Sequence, residues 1–204
     1  MRGYYFITDS GLSLAGNSAD VKSAVIAGVS IVQYREKSGD TGALYHEALR
    51  LAEICRGSKT KFIVNDRIDI ALAVDADGVH LGQGDMPYAA ARRILGAEKI
   101  IGITVHNIDE AVKAEKNGAD YLGVSPIFST STKKDAGTPG GLKLLSEIRK
   151  ITALPLIAIG GIDLENAPEV IAAGANMICA ISAVITKSDV TGEIKKFQQM
   201  FPPL

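Results

Sequence analysis

"AGVSIVQYREK", residues 27–37, decides how this chain is read. Gly28 sits where a helical run gives out, a position where the left-handed conformation commonly ends a helix. A short run rich in β-branched side chains follows and reads as a buried strand. That strand finishes on Gln33, Arg35, Glu36 and Lys37, four polar or charged side chains close together. One such ending could be a turn built for solubility; several would need another explanation. The glycine-then-strand entry does recur, as "NGADYLGV" at 117–124 and "AGANMICA" at 173–180.

Working outward, eight strand candidates alternate with helical stretches. They are "YYFIT" (4–8), "SIVQYR" (30–35), "KFIVN" (61–65), "GVHL" (78–81), "IIGI" (100–103), "YLGV" (121–124), "LPLIAIG" (154–160) and "MICAIS" (177–182). Between the second and third, "ALYHEALRLAEIC" (43–55) puts Leu44, Ala48, Leu51, Ala52 and Cys55 on one helical face. Repeated β-α units with near-continuous apolar strands predict an α/β fold, a closed (β/α)8 TIM barrel forming a single domain over residues 1–204. The competitor is an open doubly wound sheet. It wants a GxGxxG after the first strand and an acidic residue about 20 positions on, and neither is present.

Composition narrows the function. At 47% hydrophobic and 22% charged residues, the chain has the make-up of a globular protein with a core. A net charge of −1 argues against a nucleic-acid partner, which calls for a clustered basic excess. No run approaches the ~20 apolar residues of a membrane span. The N-terminus "MRGYYFITDS" has no signal-peptide pattern, and Cys55 and Cys179 read as buried reduced thiols, so a cytoplasmic location is expected. Homo-oligomer formation is left open.

In a barrel of this type the active site is built from the loops at the carboxyl ends of the strands. The residues there are Thr8 and Asp9, then Gln33, Arg35 and Lys37, then Asn65, Asp66 and Arg67, then Gln83 and Asp85, then Thr104 and His106. "SPIFSTSTKKDAG" (125–137) follows the sixth strand, Gly160–Gly161 the seventh, and Ile181 with Ser182 closes the eighth. Arg35, Lys37, Lys133 and Lys134 at the mouth of a near-neutral protein imply an anionic ligand. The glycine pair would let backbone N–H groups approach a phosphate. Asp66 and Asp85 end adjacent strands and read either as ligands to Mg²⁺ or as carboxylates capping their own turns. His80 reads as a ligand contact or a polar residue of the barrel wall. His106 reads as a general base or part of a helix cap, and His46 as an exposed helical residue. The 125–141 stretch is long for an inert connection and reads as a lid. No GxSxG elbow, Ser-His-Asp set or Cys-His pair favours acyl transfer. Departure of pyrophosphate suits the cations better.

"QYREK" (33–37), "FIVNDRIDIAL" (62–72), "DGVHLGQGD" (77–85), "YLGVSPIFSTSTKKDA" (121–136), "IAIGGI" (157–162) and "AISAV" (180–184) together resemble the thiamine phosphate synthase family, in order and over essentially the whole chain. The resemblance implies a transferase of small-molecule substrates. It would join hydroxymethylpyrimidine diphosphate to a thiazole phosphate, carboxylated or not, giving thiamine phosphate and pyrophosphate by a dissociative substitution with Mg²⁺. It also implies that Gln33, Tyr34, Arg35, Glu36, Lys37, Asn65, Thr104 and Lys133 hold the pyrimidine diphosphate, with His80 near it. Arg35, Lys37 and Lys133 would be the catalytic cations, and Asp66 and Asp85 would bind Mg²⁺. Thr130, Ser131, Thr132, Gly161, Ile181 and Ser182 would hold the thiazole phosphate. Thr104 stands where the family usually has Ser, Ser125 for a usual Gly, and Ser129 and Ser131 for usual prolines. Two other readings remain: a thiazole tautomerase of the same barrel family, using a histidine at the position of His106, and a non-catalytic phosphate-binding barrel.

Overall fold

The computed structural model of the chain describes residues 1–132 and 137–202. Its parallel strands close in chain order, with β8 returning to pair with β1. The strands are β1 (Gly3–Ile7), β2 (Ile31–Tyr34), β3 (Lys61–Asn65), β4 (Gly78–Leu81), β5 (Ile100–Val105), β6 (Tyr121–Val124), β7 (Leu156–Ile159) and β8 (Met177–Cys179). The helices are α1 (Asn17–Ala27), α2 (Thr41–Cys55), α3 (Ile68–Ala73), α4 (Tyr88–Leu95), α5 (Ile108–Asn117), α6 (Gly141–Ile151), α7 (Ala167–Ala172), α8 (Ile181–Ile185) and α9 (Val190–Gln199). This is the (β/α)8 barrel that the sequence predicts.

The local signals explain the elements. Gly28 and Gly118 end α1 and α5 in the left-handed conformation, at φ 79° and 93°, where a β-carbon would be penalised. Asp40 caps α2 by accepting from the Ala43 N–H, and the buried face of α2 is Leu44, Ala48, Leu51, Ala52 and Cys55. Two apolar runs end differently from the reading above. β7 begins at Leu156, and β8 stops at Cys179, so Ile181 and Ser182 open helix α8. An uninterrupted apolar stretch has no period-2 mark to separate a buried strand from a buried helix.

Alternation along each strand sorts side chains between two cores. Tyr5, Ile7, Ile31, Ile63, Tyr121, Ile157, Met177 and Cys179 fill the barrel interior. Tyr4, Phe6, Val32 and Tyr34 face the layer shared with the helices. Among the described residues no helix is long and apolar enough to cross a membrane.

Candidate active site

The carboxyl ends of the strands open on a cavity of about 390 Å³. From β2 come Gln33, Arg35 and Lys37, from β3 Asn65 and Asp66, and from β4 His80, Gln83 and Asp85. β5 contributes Thr104 and His106. Thr130 and Thr132 come from the loop after β6, Gly160 and Gly161 from the end of β7, and Ile181 and Ser182 from the start of α8.

The cationic side is built by the first two loops. Thr8 Oγ1 accepts from the Arg35 N–H at 2.9 Å, tying the end of β1 to that of β2, and Arg35 lies 3.8 Å from Asp9. Lys37 Nζ donates to Asp66 Oδ2. Glu36 turns back on its own loop, accepting from the Lys37 and Ser38 N–H groups and from the hydroxyls of Ser10 and Ser38. Burial alone would raise its pKa; the hydroxyls and N–H groups outweigh burial and hold it below the ordinary value.

The acidic pair faces these cations. Asp66 has a positive φ of 60°, which Asp tolerates better than most side chains, while its N–H still donates to the His80 carbonyl at 2.9 Å. Asp85 accepts from the Gly82 N–H at 2.7 Å. The two carboxyls lie within hydrogen-bonding reach of each other, and their pKa values are pushed apart. Burial would raise Asp66, yet the Asp85 contact and Lys37 carry it below its ordinary value. Burial and then the hydrogen-bonding contact with Asp66 raise Asp85. Among the described residues no group of three or more His, Cys, Asp and Glu side chains is gathered for a metal.

The floor is set by register. Asn65, His80, Gly102 and Tyr121 stand level across β3, β4, β5 and β6. A β-carbon at Gly102 would overlap the Tyr121 ring. Its absence lets the His80 and Tyr121 rings stack across β5, centroids 5.5 Å apart. His80 is 5% exposed. It is both a wall residue and a cavity residue.

The seventh and sixth loops interlock. Ile127 N–H donates to the Ile159 carbonyl at 2.9 Å and Phe128 N–H to the Gly160 carbonyl at 3.0 Å. A β-carbon on Gly160 would collide with Pro126, and one on Gly161 with Phe128 and the Ser129 carbonyl. The glycine pair therefore serves close backbone packing.

A family model described as thiamine monophosphate synthase matches residues 4–184. The chain belongs to the thiamine monophosphate synthase family. It is 54% identical over 194 residues to the thiamine-phosphate synthase of Methanosarcina mazei, spanning 95% of this chain and 80% of that one. To the thiamine-phosphate synthase of Chloroflexus aurantiacus it is 48% identical over 197 residues, 96% of this chain and 91% of the other. The solved thiamine phosphate pyrophosphorylase from Pyrococcus furiosus superposes with a TM-score of 0.89 at 38% identity, covering 97% of this chain and 94% of its own. A 3-hexulose-6-phosphate synthase, at 18% identity and TM-score 0.66, shares the fold alone.

Several residues singled out by resemblance to the thiamine monophosphate synthase family stand elsewhere. Tyr34 faces away from the cavity and donates its hydroxyl to Glu47 on α2 at 2.8 Å, because it alternates with the inward Gln33. Glu36 is spent on its loop, and Ser131 lies outside the cavity lining. Lys133 and Lys134 fall outside the described residues. His106 lines the cavity, and its N–H and Nδ1 both engage Glu110 of α5, at 2.7 and 3.0 Å. His46 is exposed. Cys55 and Cys179 are both buried free thiols. Burial pushes Cys55 up to about 12 and raises Cys179 as well. Sequence reasoning passed over Tyr5 and Tyr121, whose hydroxyls meet beneath the cavity 2.7 Å apart. Their inward phase on β1 and β6 was the signal available.

Proposed function

We propose that the chain is a cytoplasmic transferase joining hydroxymethylpyrimidine diphosphate to a thiazole phosphate, with loss of pyrophosphate and formation of thiamine phosphate. One observation carries this reading. Arg35 and Lys37, just after β2, line one cavity together with Asp66 and Asp85, just after β3 and β4. Cations close to paired carboxylates suit a diphosphate with a hard divalent cation beside it.

The donors fit Mg²⁺. That ion commonly takes one or two protein carboxylates and fills its other positions with substrate oxygens and water. Asp66 and Asp85 are close to each other, and Asp66 already attracts an ammonium group. In this reading they would hold the ion, which would supply positive charge to the departing diphosphate.

The residues do the rest. Arg35 offers a planar fork to phosphate oxygens, and Lys37 a mobile point charge. Lys133, by the family resemblance, would add a third cation. The aminopyrimidine can push electrons toward its exocyclic carbon as the carbon–oxygen bond breaks, so no protein nucleophile is required. The protein's tasks are to stabilise pyrophosphate, exclude water and hold the thiazole nitrogen in line. Thr130, Thr132, Gly161, Ile181 and Ser182 line the same cavity and, by the family resemblance, would hold the thiazole phosphate.

The test is pyrophosphate release from the two substrates with and without Mg²⁺. Release that needs both substrates and the metal is expected. A complete lack of release, with thiazole isomerisation in its place, would overturn the reading.

A further inference from the structure

Beneath the cavity five side chains form one continuous line of hydrogen bonds. Gln33 Nε2 donates to the Tyr5 hydroxyl at 2.8 Å. The Tyr5 and Tyr121 hydroxyls are 2.7 Å apart. Tyr121 meets His80 Nδ1 at 2.9 Å, and His80 Nε2 meets Thr104 Oγ1 at 2.7 Å. Gln33, His80 and Thr104 line the cavity, while both tyrosines lie below it, each 0% exposed.

Counting protons gives the line a direction. Burial raises both phenols above their ordinary pKa, so each keeps one proton to donate. The Tyr5 oxygen receives the Gln33 N–H, so its own proton goes to Tyr121. The Tyr121 proton goes to His80 Nδ1. The imidazole then carries its proton on Nε2 and donates to Thr104. The Thr104 hydroxyl proton is left for the cavity. Run the other way, the Tyr5 proton would point at the Gln33 N–H, donor against donor.

We propose that Tyr5 and Tyr121 are positioning residues that keep the Gln33 carbonyl oxygen and the Thr104 hydroxyl proton available to the ligand, and so select an amino-bearing pyrimidine over its oxo counterpart. The inference rests on the pyrimidine diphosphate reading above. An exocyclic amino group donates to a carbonyl oxygen, whereas an oxo group there would set acceptor against acceptor. A buried polar group left unpaired in this way is what makes hydrogen-bonding sites discriminate. Without the Tyr5 hydroxyl the amide loses the 2.8 Å contact that fixes which end faces the ligand.

The first measurement needs no variant. Nitrogen-15 NMR of the unsubstituted protein near neutral pH should report His80 as the neutral tautomer protonated on Nε2; the Nδ1–H form or an imidazolium would overturn the direction. The second is calorimetric binding of 4-amino-5-hydroxymethyl-2-methylpyrimidine diphosphate and of its 4-oxo analogue. Tyr5→Phe and Tyr121→Phe keep the rings, and thermal unfolding checks that they fold. Each should reduce the amino-over-oxo preference about tenfold or more. The double variant should do little worse than either single one, since a line broken once is already broken. An equal loss for both ligands is the mark of simple structural damage, and it or an unchanged preference would overturn the inference. Equal binding of both ligands to the unsubstituted protein would overturn it too, leaving the substrate reading intact. Binding of neither would remove the substrate reading and the inference together.

Discussion

Lys37 and Asp66 are bound to each other at the mouth of the barrel, ammonium on carboxylate, and the Asp85 carboxyl also touches Asp66. The oxygen that receives Lys37 belongs to one of the two residues proposed to hold Mg²⁺, so lysine and metal compete for it. Lys37→Met should bind Mn²⁺ about twofold to fivefold more tightly than the unsubstituted protein in the absence of diphosphate, as read by electron paramagnetic resonance. That is the return from an exposed ion pair of ~0.5–1 kcal/mol. Catalysis should fall in the same variant, because the diphosphate loses a cation. Weaker Mn²⁺ binding would show that Lys37 supports the metal rather than opposing it.

Removing either carboxylate tests the metal itself. Asp66→Ala and Asp85→Ala should each cost about 10²–10³-fold in pyrophosphate release, the scale of losing a preorganised charge at developing charge. Chelation of the unsubstituted protein should do the same. Turnover that survives both treatments would remove the magnesium assignment.

The reading of the barrel succeeded where local chemistry repeats. A glycine stop, a β-branched run and a polar ending recur around the ring, and each is decided within a few residues. The β8–α8 boundary was not legible, since "MICAISAVI" is apolar nearly throughout. The family resemblance puts Tyr34 among the residues holding the pyrimidine diphosphate, but the pleat sends it to the helix layer and leaves Gln33 and Arg35 at the cavity. The line from Gln33 to Thr104 depends on which residues stand level across separate strands. Sequence spacing carries no trace of that.

Arg35→Lys and Lys133→Ala probe the diphosphate cations separately. Lysine cannot reproduce the two-pronged contact of a guanidinium, so Arg35→Lys should lower kcat/KM despite keeping the charge. Lys133→Ala should cost roughly 1.5–3 kcal/mol, or about 10- to 150-fold in kcat/KM for the diphosphate substrate. Near-normal kinetics in both variants would mean that the cavity holds a different anion.

His106 separates synthase from tautomerase. Its contacts to Glu110 tie it to the first turn of α5 from just before the helix, a structural post at the cavity wall. His106→Asn should lower pyrophosphate release by about tenfold or less, through the geometry of that turn. The Asp66 and Asp85 variants should be far worse. Parallel assays of thiazole isomerisation complete the comparison, and the opposite ranking would favour the tautomerase.

The level row His80–Gly102–Tyr121 also has a meaning for anyone who would recombine this barrel. Two rings meet only because the strand between them carries no side chain at that height. A chimera that keeps β4 and β6 of this chain but takes β5 from a distant barrel would bring in whatever residue stands at that height. Any residue larger than glycine would wedge the rings apart. The three positions are one inheritable unit spread over three strands, and crossovers between β4 and β6 should fail where crossovers elsewhere in the ring succeed.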